Sequence, residues 1–502
     1  MRNHLHIFGL LAIFYTFFLG AYLNNPMLNS IGNLTVSMIE HRTLSIDTMS
    51  DNTVDISQRD GKFYSGMPPG LSFLLIPVYF TLKLVTVVVP TEYLNRLNQF
   101  AKEKIPASEG GMGQHNQHRF MLIMLIIFGF FMLTLPVTLL VATRFLNIFA
   151  QIELPRPHFY IWFLFAGTLY GAYGNSLWHT YLCSSIVFLA FHHFLLRPAE
   201  VAPRLQDFLM AIMLGTVPSM DYPALVYCLL LLGMIAVSKR KMPFSYFLVI
   251  LGGFLIFPLL TLVYHNLAFG HPLHTSYQFR AARGLMSILQ KDVGEQGMMA
   301  LLPSNEKFMR ALFDLKCGVL FYNPLFILVL ESIVRSPLEQ LKNLVRNPDR
   351  LCALLIIMAN FVYFISLPGN VHPSAGSYGA RYMLYSVPLC FWWLLPWFKK
   401  LEENKSRLPI FIFLYSILFY IPFWMYGSPQ LNLMEFFQTL YRLGPGNYTL
   451  TKLSQIRSLV PILPGMILYG VVLTMLCFFN RLALKKTRSE AHERVLNQKI
   501  GQ

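Results

Sequence analysis

Between residues 24 and 70 the chain gathers Glu40, Asp47, Asp51, Asp55 and Asp60 against Arg42, Arg59 and Lys62, an acidic stretch in a basic protein. Carboxylates grouped in this way can act as a general base toward a hydroxyl or amine, or ligate a hard divalent cation; the alternative is a solvated acidic loop. Glu40, Asp47 and Asp60 are the candidate catalytic residues, Asp60 because it opens the polar turn that runs to Gly70. In that turn Lys62 offers a point charge and Tyr64 a hydrogen-bond donor, both suited to a phosphate and both also common as anchors at a membrane surface.

Three further residues are candidates for substrate binding. Asp221 lies between two short apolar runs, where a carboxylate needs a cation, a hydrogen-bond network or water. Arg381 opens an apolar run behind a Gly-rich segment, 369 to 379, that also holds His372 and Ser377. An arginine at the centre of a spanning helix costs about 2.5 to 3.5 kcal/mol on insertion scales, so a phosphate or carboxylate partner would suit it, unless it snorkels to the interface. Arg280 sits in the loop 267 to 317 with His271, His274, Arg283 and Lys291, a set able to meet a phosphate or to form an amphipathic surface helix. His179 and the pair His192 and His193 read as packing or hydrogen-bonding residues, and no metal site is expected from them. The six cysteines form no CxxC pair, and the nucleotide, zincin, nucleophile-elbow and dinucleotide signatures are missing.

The elements that must position these groups are apolar helices. With 502 residues, 55% of them hydrophobic and only 13% charged, and a mean hydropathy of +0.49, the composition excludes an ordinary soluble domain. Thirteen apolar runs approach the length needed to span a bilayer, near 5–23, 71–89, 120–142, 158–173, 177–196, 206–219, 222–237, 244–266, 318–333, 351–367, 381–397, 408–426 and 461–479. The net charge of +16 is dispersed over the short links 197–204, 238–241, 335–350 and 399–407 and the tail, which excludes a nucleic-acid surface and matches cytoplasmic connections. Alternation after residue 158 puts Asp221 and the loops 267–317, 368–380 and 427–460 on the opposite face. The first helix is retained rather than cleaved, and with a cytoplasmic amino terminus thirteen crossings would put the basic tail outside. Either one early run does not cross or the count of thirteen is off, and 71–89 with the link 90–119 is the suspect.

The order Thr43-Leu44-Ser45-Ile46-Asp47, Asp60-Gly61-Lys62-Phe63-Tyr64, Pro68-Pro69-Gly70-Leu71 and Ile76-Pro77-Val78-Tyr79 resembles the GT-C superfamily of membrane glycosyltransferases. It is similar in particular to bacterial relatives of the protein O-mannosyltransferases and of the lipid A aminoarabinose transferase. Asp221-Tyr222-Pro223-Ala224, Phe269-Gly270-His271-Pro272-Leu273, Phe321-Tyr322-Asn323-Pro324-Leu325 and Gly379-Ala380-Arg381-Tyr382 extend the likeness over most of residues 1 to 400.

The resemblance implies an all-α polytopic membrane protein, a GT-C-like bundle of about 12 to 13 transmembrane helices with a long first extracytoplasmic loop. Residues 1–400 form its catalytic module, 401–480 its last helices with the outer loop 427–460, and 481–502 a basic cytoplasmic tail. It also implies transfer of a sugar from a polyprenyl-phosphate carrier to a lipid, glycan or protein acceptor, at the extracytoplasmic face of a bacterial inner membrane. No soluble cofactor is implied beyond the divalent cation the carboxylates could hold. The chain departs from the family pattern in one respect: residues 24–39 contain no Asp or Glu, and Asn29 lies near the place the family gives to a catalytic acid. The alternatives are a transporter or flippase for a lipid-linked or small anionic substrate, and a catalytically silent relative.

Overall fold

The computed structural model describes residues 5–17, 26–88, 92, 95, 99, 119–196, 205–281, 305–314, 318–335, 344, 346–366 and 380–426. The expected span 461–479, the loop 427–460, the tail 481–502, the segment 369–379 with His372 and Ser377, the link 197–204, and Arg283 and Lys291 lie outside them.

The described chain is mostly helical: α1 (Leu5–Phe17), α2 (Pro26–Val36), α3 (Gly70–Val88), α4 (Arg119–Gly129), α5 (Leu135–Gln151), α6 (Pro157–Ala166), α7 (Leu169–Tyr173), α8 (His179–Phe191), α9 (Leu205–Met220), α10 (Leu225–Ser238) and α11 (Phe244–Phe269). Then come α12 (Asn305–Phe313), α13 (Val319–Tyr322), α14 (Pro324–Arg335), α15 (Pro348–Ile365), α16 (Val387–Trp393), α17 (Leu395–Glu403) and α18 (Leu408–Tyr426). A π-helical turn, Phe130–Thr134, joins α4 and α5.

Among the described residues, four helical stretches are long and apolar enough to cross a membrane: Met121–Gln151, His179–Leu196, Phe244–Phe269 and Pro348–Ile365. This is a multi-pass integral membrane protein. Several of the thirteen runs that are continuous in hydropathy are broken in backbone within the described residues. Gly167 and Thr168 separate α6 from α7, Asn323 and Pro324 separate α13 from α14, and the run from Arg381 divides into a 3-10 turn (Arg381–Ser386) and two short helices that each begin with a proline in the first turn. Proline lacks the N–H that would continue the helix and clashes with the preceding turn.

Lipid and protein sides are legible on α11, which exposes Phe244, Leu248, Leu251, Leu255, Leu259, Val263 and Leu267 while burying Tyr246, Ile250, Gly253 and Phe254 against α9. The approach is close: a Cβ at Gly215 would stand 2.1 Å from the Phe254 carbonyl oxygen, and one at Gly253 would stand 2.9 Å from that of Phe208. Small residues let helix backbones meet where there is no hydrophobic drive between helices in lipid. Gly215→Val should therefore cost about 2 kcal/mol or more, seen as a lowered Tm of the purified protein in detergent; an unchanged Tm would disprove the contact.

The first loop is folded, not merely solvated. Asp60 and Gly61, at φ 50° and 76°, make the tight turn between β1 (Ile56–Arg59) and β2 (Lys62–Ser65). An Asp-Gly pair suits this because both central residues need positive φ. Behind the hairpin, Asn33 and Asn52 bond each other reciprocally, Asn33 Nδ2 also reaches the Met49 carbonyl, and Asn29 Nδ2 donates to the Asn52 carbonyl at 3.0 Å. Asn33 is fully buried. The sequon Asn33-Leu34-Thr35 is thus a structural ladder, not an accessible acceptor.

Candidate functional site

The site forms where helix ends meet. At the close of α9, Pro218 and Pro223 frame a break in which Asp221 is extended, at φ −151°, and a short 3-10 turn (Tyr222–Ala224) leads into α10. Opposite stands the 3-10 turn Arg381–Ser386, held by Asn360 of α15. The Asn360 amide donates to the Tyr382 carbonyl at 2.6 Å and to the Tyr227 hydroxyl at 2.9 Å, and its oxygen accepts from the Ser386 N–H at 3.1 Å. Ser184 of α8 adds a bond to the Leu384 carbonyl at 2.8 Å. Asn360 is a positioning residue: Asn360→Ala removes three buried bonds and should cost about 2 to 4 kcal/mol, measurable as a fall in Tm. An unmoved Tm would show that the turn is held by other contacts.

Those supports aim Tyr385 and Arg381 at the Asp221 break. The Tyr385 hydroxyl donates to Asp221 Oδ2 at 2.8 Å. Burial pushes the Asp221 carboxyl up to about 6, although the Tyr385 hydroxyl and the Arg381 charge both favour its ionised form. Arg381 lies 5.6 Å from the centre of the Trp178 ring and 4.7 Å from that of Tyr382, and it donates through Nη2 to the Tyr382 hydroxyl at 2.8 Å. Its Nε is sealed from solvent and has no hydrogen-bond partner among the described residues. Beside it the buried His179 leaves Nδ1 without a partner among those residues. Arg381 and Asp221 feel each other's charge, yet no direct ion pair joins them among the described residues. A guanidinium stacked on aromatic rings with an unspent N–H can take an anion in a fixed plane.

The first loop reaches this centre through Arg280. Residues 276–281 lie along β1: Ser57 Oγ donates to the Ser276 carbonyl at 2.7 Å, Ala281 N–H to the Ile56 carbonyl at 2.9 Å, and Ser57 pairs with Arg280 in an antiparallel bridge. This brings Arg280 Nη2 to 4.0 Å from Asp55 Oδ1 and its guanidinium to 4.7 Å from the Tyr277 ring centre. Tyr277 in turn packs edge-on against Tyr222, the residue next to Asp221, with ring centres 5.4 Å apart.

Of the eight residues singled out in sequence, Asp221, Arg280 and Arg381 thus share one neighbourhood. The other five sit elsewhere in the loop. Glu40 accepts from the Tyr79 hydroxyl at 2.9 Å and pairs with Lys83 at 2.7 Å; burial would raise its carboxyl, but these two donors outweigh that and hold it below its usual range. Asp47 is a clamp, taking the Phe63 N–H at 2.6 Å and the Ser45 hydroxyl at 2.8 Å. Asp60 stands in solvent at the hairpin tip beside Arg59, Lys62 is exposed next to it, and Tyr64 rests its ring on Phe269. Asp55 had no individual signal in sequence, being one acid among five. Trp178, Tyr277, Tyr382 and Tyr385 were hidden because aromatics in a membrane protein usually mark packing or the interface. Among the described residues no three His, Cys, Asp or Glu side chains gather as a cation site.

Comparison with protein families, with characterised proteins and with solved structures finds no match to this chain.

Proposed function

We propose that the protein is a GT-C-like glycosyltransferase that takes a sugar from a polyprenyl-phosphate carrier and passes it to a lipid, glycan or protein acceptor at the extracytoplasmic face of a bacterial inner membrane. The observation that carries the reading is Arg381: a cation between Trp178 and Tyr382 with a buried, unspent Nε, and a buried carboxylate nearby that does not neutralise it. A phosphodiester or phosphate monoester meets that need, and aromatic walls suit the face of a sugar. The membrane setting supports a lipid-borne donor, and the order of sequence fragments around both loops supports the GT-C likeness.

In this mechanism Arg381 takes the charge that develops on the leaving carrier phosphate as the bond from the sugar's anomeric carbon to the phosphate oxygen breaks. A carboxylate accepts the acceptor's proton as its oxygen or nitrogen bonds to that carbon. Asp221 and Asp55 are the two carboxylates on the Arg280, Tyr277 and Tyr222 side; Asp55 supplies the outer-loop base, and Glu40, Asp47 and Asp60 support the loop's shape. The test is incubation of purified protein with radiolabelled polyprenyl-phosphate sugars and candidate acceptors. Asp55→Asn should cost about 100-fold or more in rate while Asp60→Asn stays within about twofold. Equal rates for both would remove the loop-base assignment. Absence of any transfer, with flux of a lipid-linked or small anionic substrate into proteoliposomes, would replace the transferase by a transporter or flippase.

A further inference from the structure

Helix α8 (His179–Phe191) begins inside the protein with no side chain to cap it. Its first three N–H groups, those of His179, Thr180 and Tyr181, find no carbonyl within the helix, as at every helix start. Trp178 occupies the cap position in extended backbone, at φ −93° and ψ 122°, and the first turn carries no acidic residue. All of that turn is buried. Such a start keeps the partial positive charge of the helix dipole and is stabilised by an anion.

The side chains at this helix start carry a second, independent signal. Ser176 and Thr180 are each 2% exposed and His179 is 7% exposed. Ser176 Oγ, His179 Nδ1 and Thr180 Oγ1 are sealed from solvent and have no hydrogen-bond partner among the described residues. Each such group costs about 1 to 3 kcal/mol while it stays unsatisfied. Arg381 adds a full positive charge at the same place. Its guanidinium lies 5.6 Å from the Trp178 ring centre, its charge is felt at His179, and its 3-10 turn is tied to α8 where the Ser184 hydroxyl donates to the Leu384 carbonyl. Asp221 is engaged by the Tyr385 hydroxyl and makes no direct pair with Arg381 among the described residues. A half-buried cation, an uncapped helix start and three unsatisfied polar atoms thus converge, and one anion would relieve them all.

We propose that the start of α8 and Arg381 form one two-sided anion seat that prefers a phosphate monoester to a phosphodiester, so that the spent carrier phosphate is held more tightly than the sugar-loaded donor and restrains turnover. The occupant rests on the transferase reading. When the bond from the anomeric carbon breaks, the electron pair stays on the phosphate oxygen and the acceptor's proton goes to the loop carboxylate. A singly charged diester becomes a monoester that is mostly doubly charged at neutral pH. The added charge is met by backbone donors from α8 on one side and the guanidinium on the other, and His179 Nδ1, in the tautomer that carries its proton there, supplies one more donor.

Binding to the purified full chain tests this without turnover, using a short-chain polyprenyl phosphate, its methyl ester, the parent alcohol and inorganic phosphate. The monoester should bind about tenfold more tightly than the methyl ester, with the alcohol and inorganic phosphate weaker than both. His179→Ala removes the imidazole alone. His179→Pro also removes one backbone N–H, at a first helical position that proline favours and behind a Trp178 whose extended backbone already suits it. The proline variant should therefore bind the monoester about tenfold more weakly than the alanine variant. If His179→Pro does not fold, Thr180→Val makes the same comparison against the parent at nearly constant shape. Equal affinity for monoester and methyl ester, equal affinity in the compared variants, or inorganic phosphate binding as well as the polyprenyl phosphate would overturn the proposal. Preferential monoester binding without any sugar transfer would keep the seat and remove the transferase; transfer without that preference would remove the seat and leave the transferase standing.

Discussion

Arg381→Ala should lower sugar transfer by about 100-fold or more, the scale on which losing one preorganised donor to a developing oxyanion is felt. The guanidinium is already stacked between Trp178 and Tyr382 and anchored on the Tyr382 hydroxyl, so it need not reorganise when charge appears on the phosphate. Arg381→Lys keeps the charge but loses the planar fork, and should recover only part of the rate. The informative readout is the split between constants. If Arg381 holds the carrier phosphate equally in ground and transition states, KM for the donor rises and kcat holds; if it acts on the departing phosphate, kcat falls. Thermal stabilisation by the bare polyprenyl phosphate should also vanish in Arg381→Ala. Full activity and full stabilisation in that variant would sink the proposed phosphate site.

The second large effect is expected at Asp221, through pH. Burial raises this carboxyl from 3.8 to about 6 against the opposing pull of Tyr385 and Arg381. With Asp55 as the base, ionised Asp221 serves as the charge that orients Tyr385 beside Arg381, so the rate should fall as pH drops below about 6, and Asp221→Asn should lower the rate and abolish that acid limb. Stability should move the other way. A carboxyl whose folded pKa is raised favours the folded state when protonated, so its contribution is complete below its ordinary value and is lost as pH rises through about 6. Asp221→Asn should accordingly be no less stable than the parent at neutral pH, even as it loses activity. A variant that keeps the acid limb, or that unfolds, would assign Asp221 to structure instead.

These expectations draw unequally on sequence and on structure. Hydropathy and the placing of basic links sufficed for a multi-pass helical membrane protein, because exclusion of charge from lipid acts on composition and needs no tertiary contact. The Asp60-Gly61 turn was legible for a similar reason: positive φ at two successive residues leaves few choices of side chain. Asp221 and Arg381 stood out because an ionisable group beside apolar runs is costly wherever the chain goes. Arg280 was one cation among several in its loop, and only the seating of residues 276–281 on β1 sets it apart.

The loop acids show where one-dimensional reading ends. Glu40, Asp47, Asp55 and Asp60 are equivalent by type and all fall in the same stretch of 24 to 70. Folding distributes them to an ion pair with Lys83, a backbone clamp on Phe63, a contact with Arg280 and open solvent, respectively. What the amino-acid sequence determined by itself was the solvent of each segment and the presence of charges that must be satisfied, since both follow from transfer free energies of single residues. Which charges meet, which helices stop short of a full span and which carboxylate lies near Arg381 were decided by tertiary structure, because those depend on directions and on distances of a few ångströms between segments far apart in sequence.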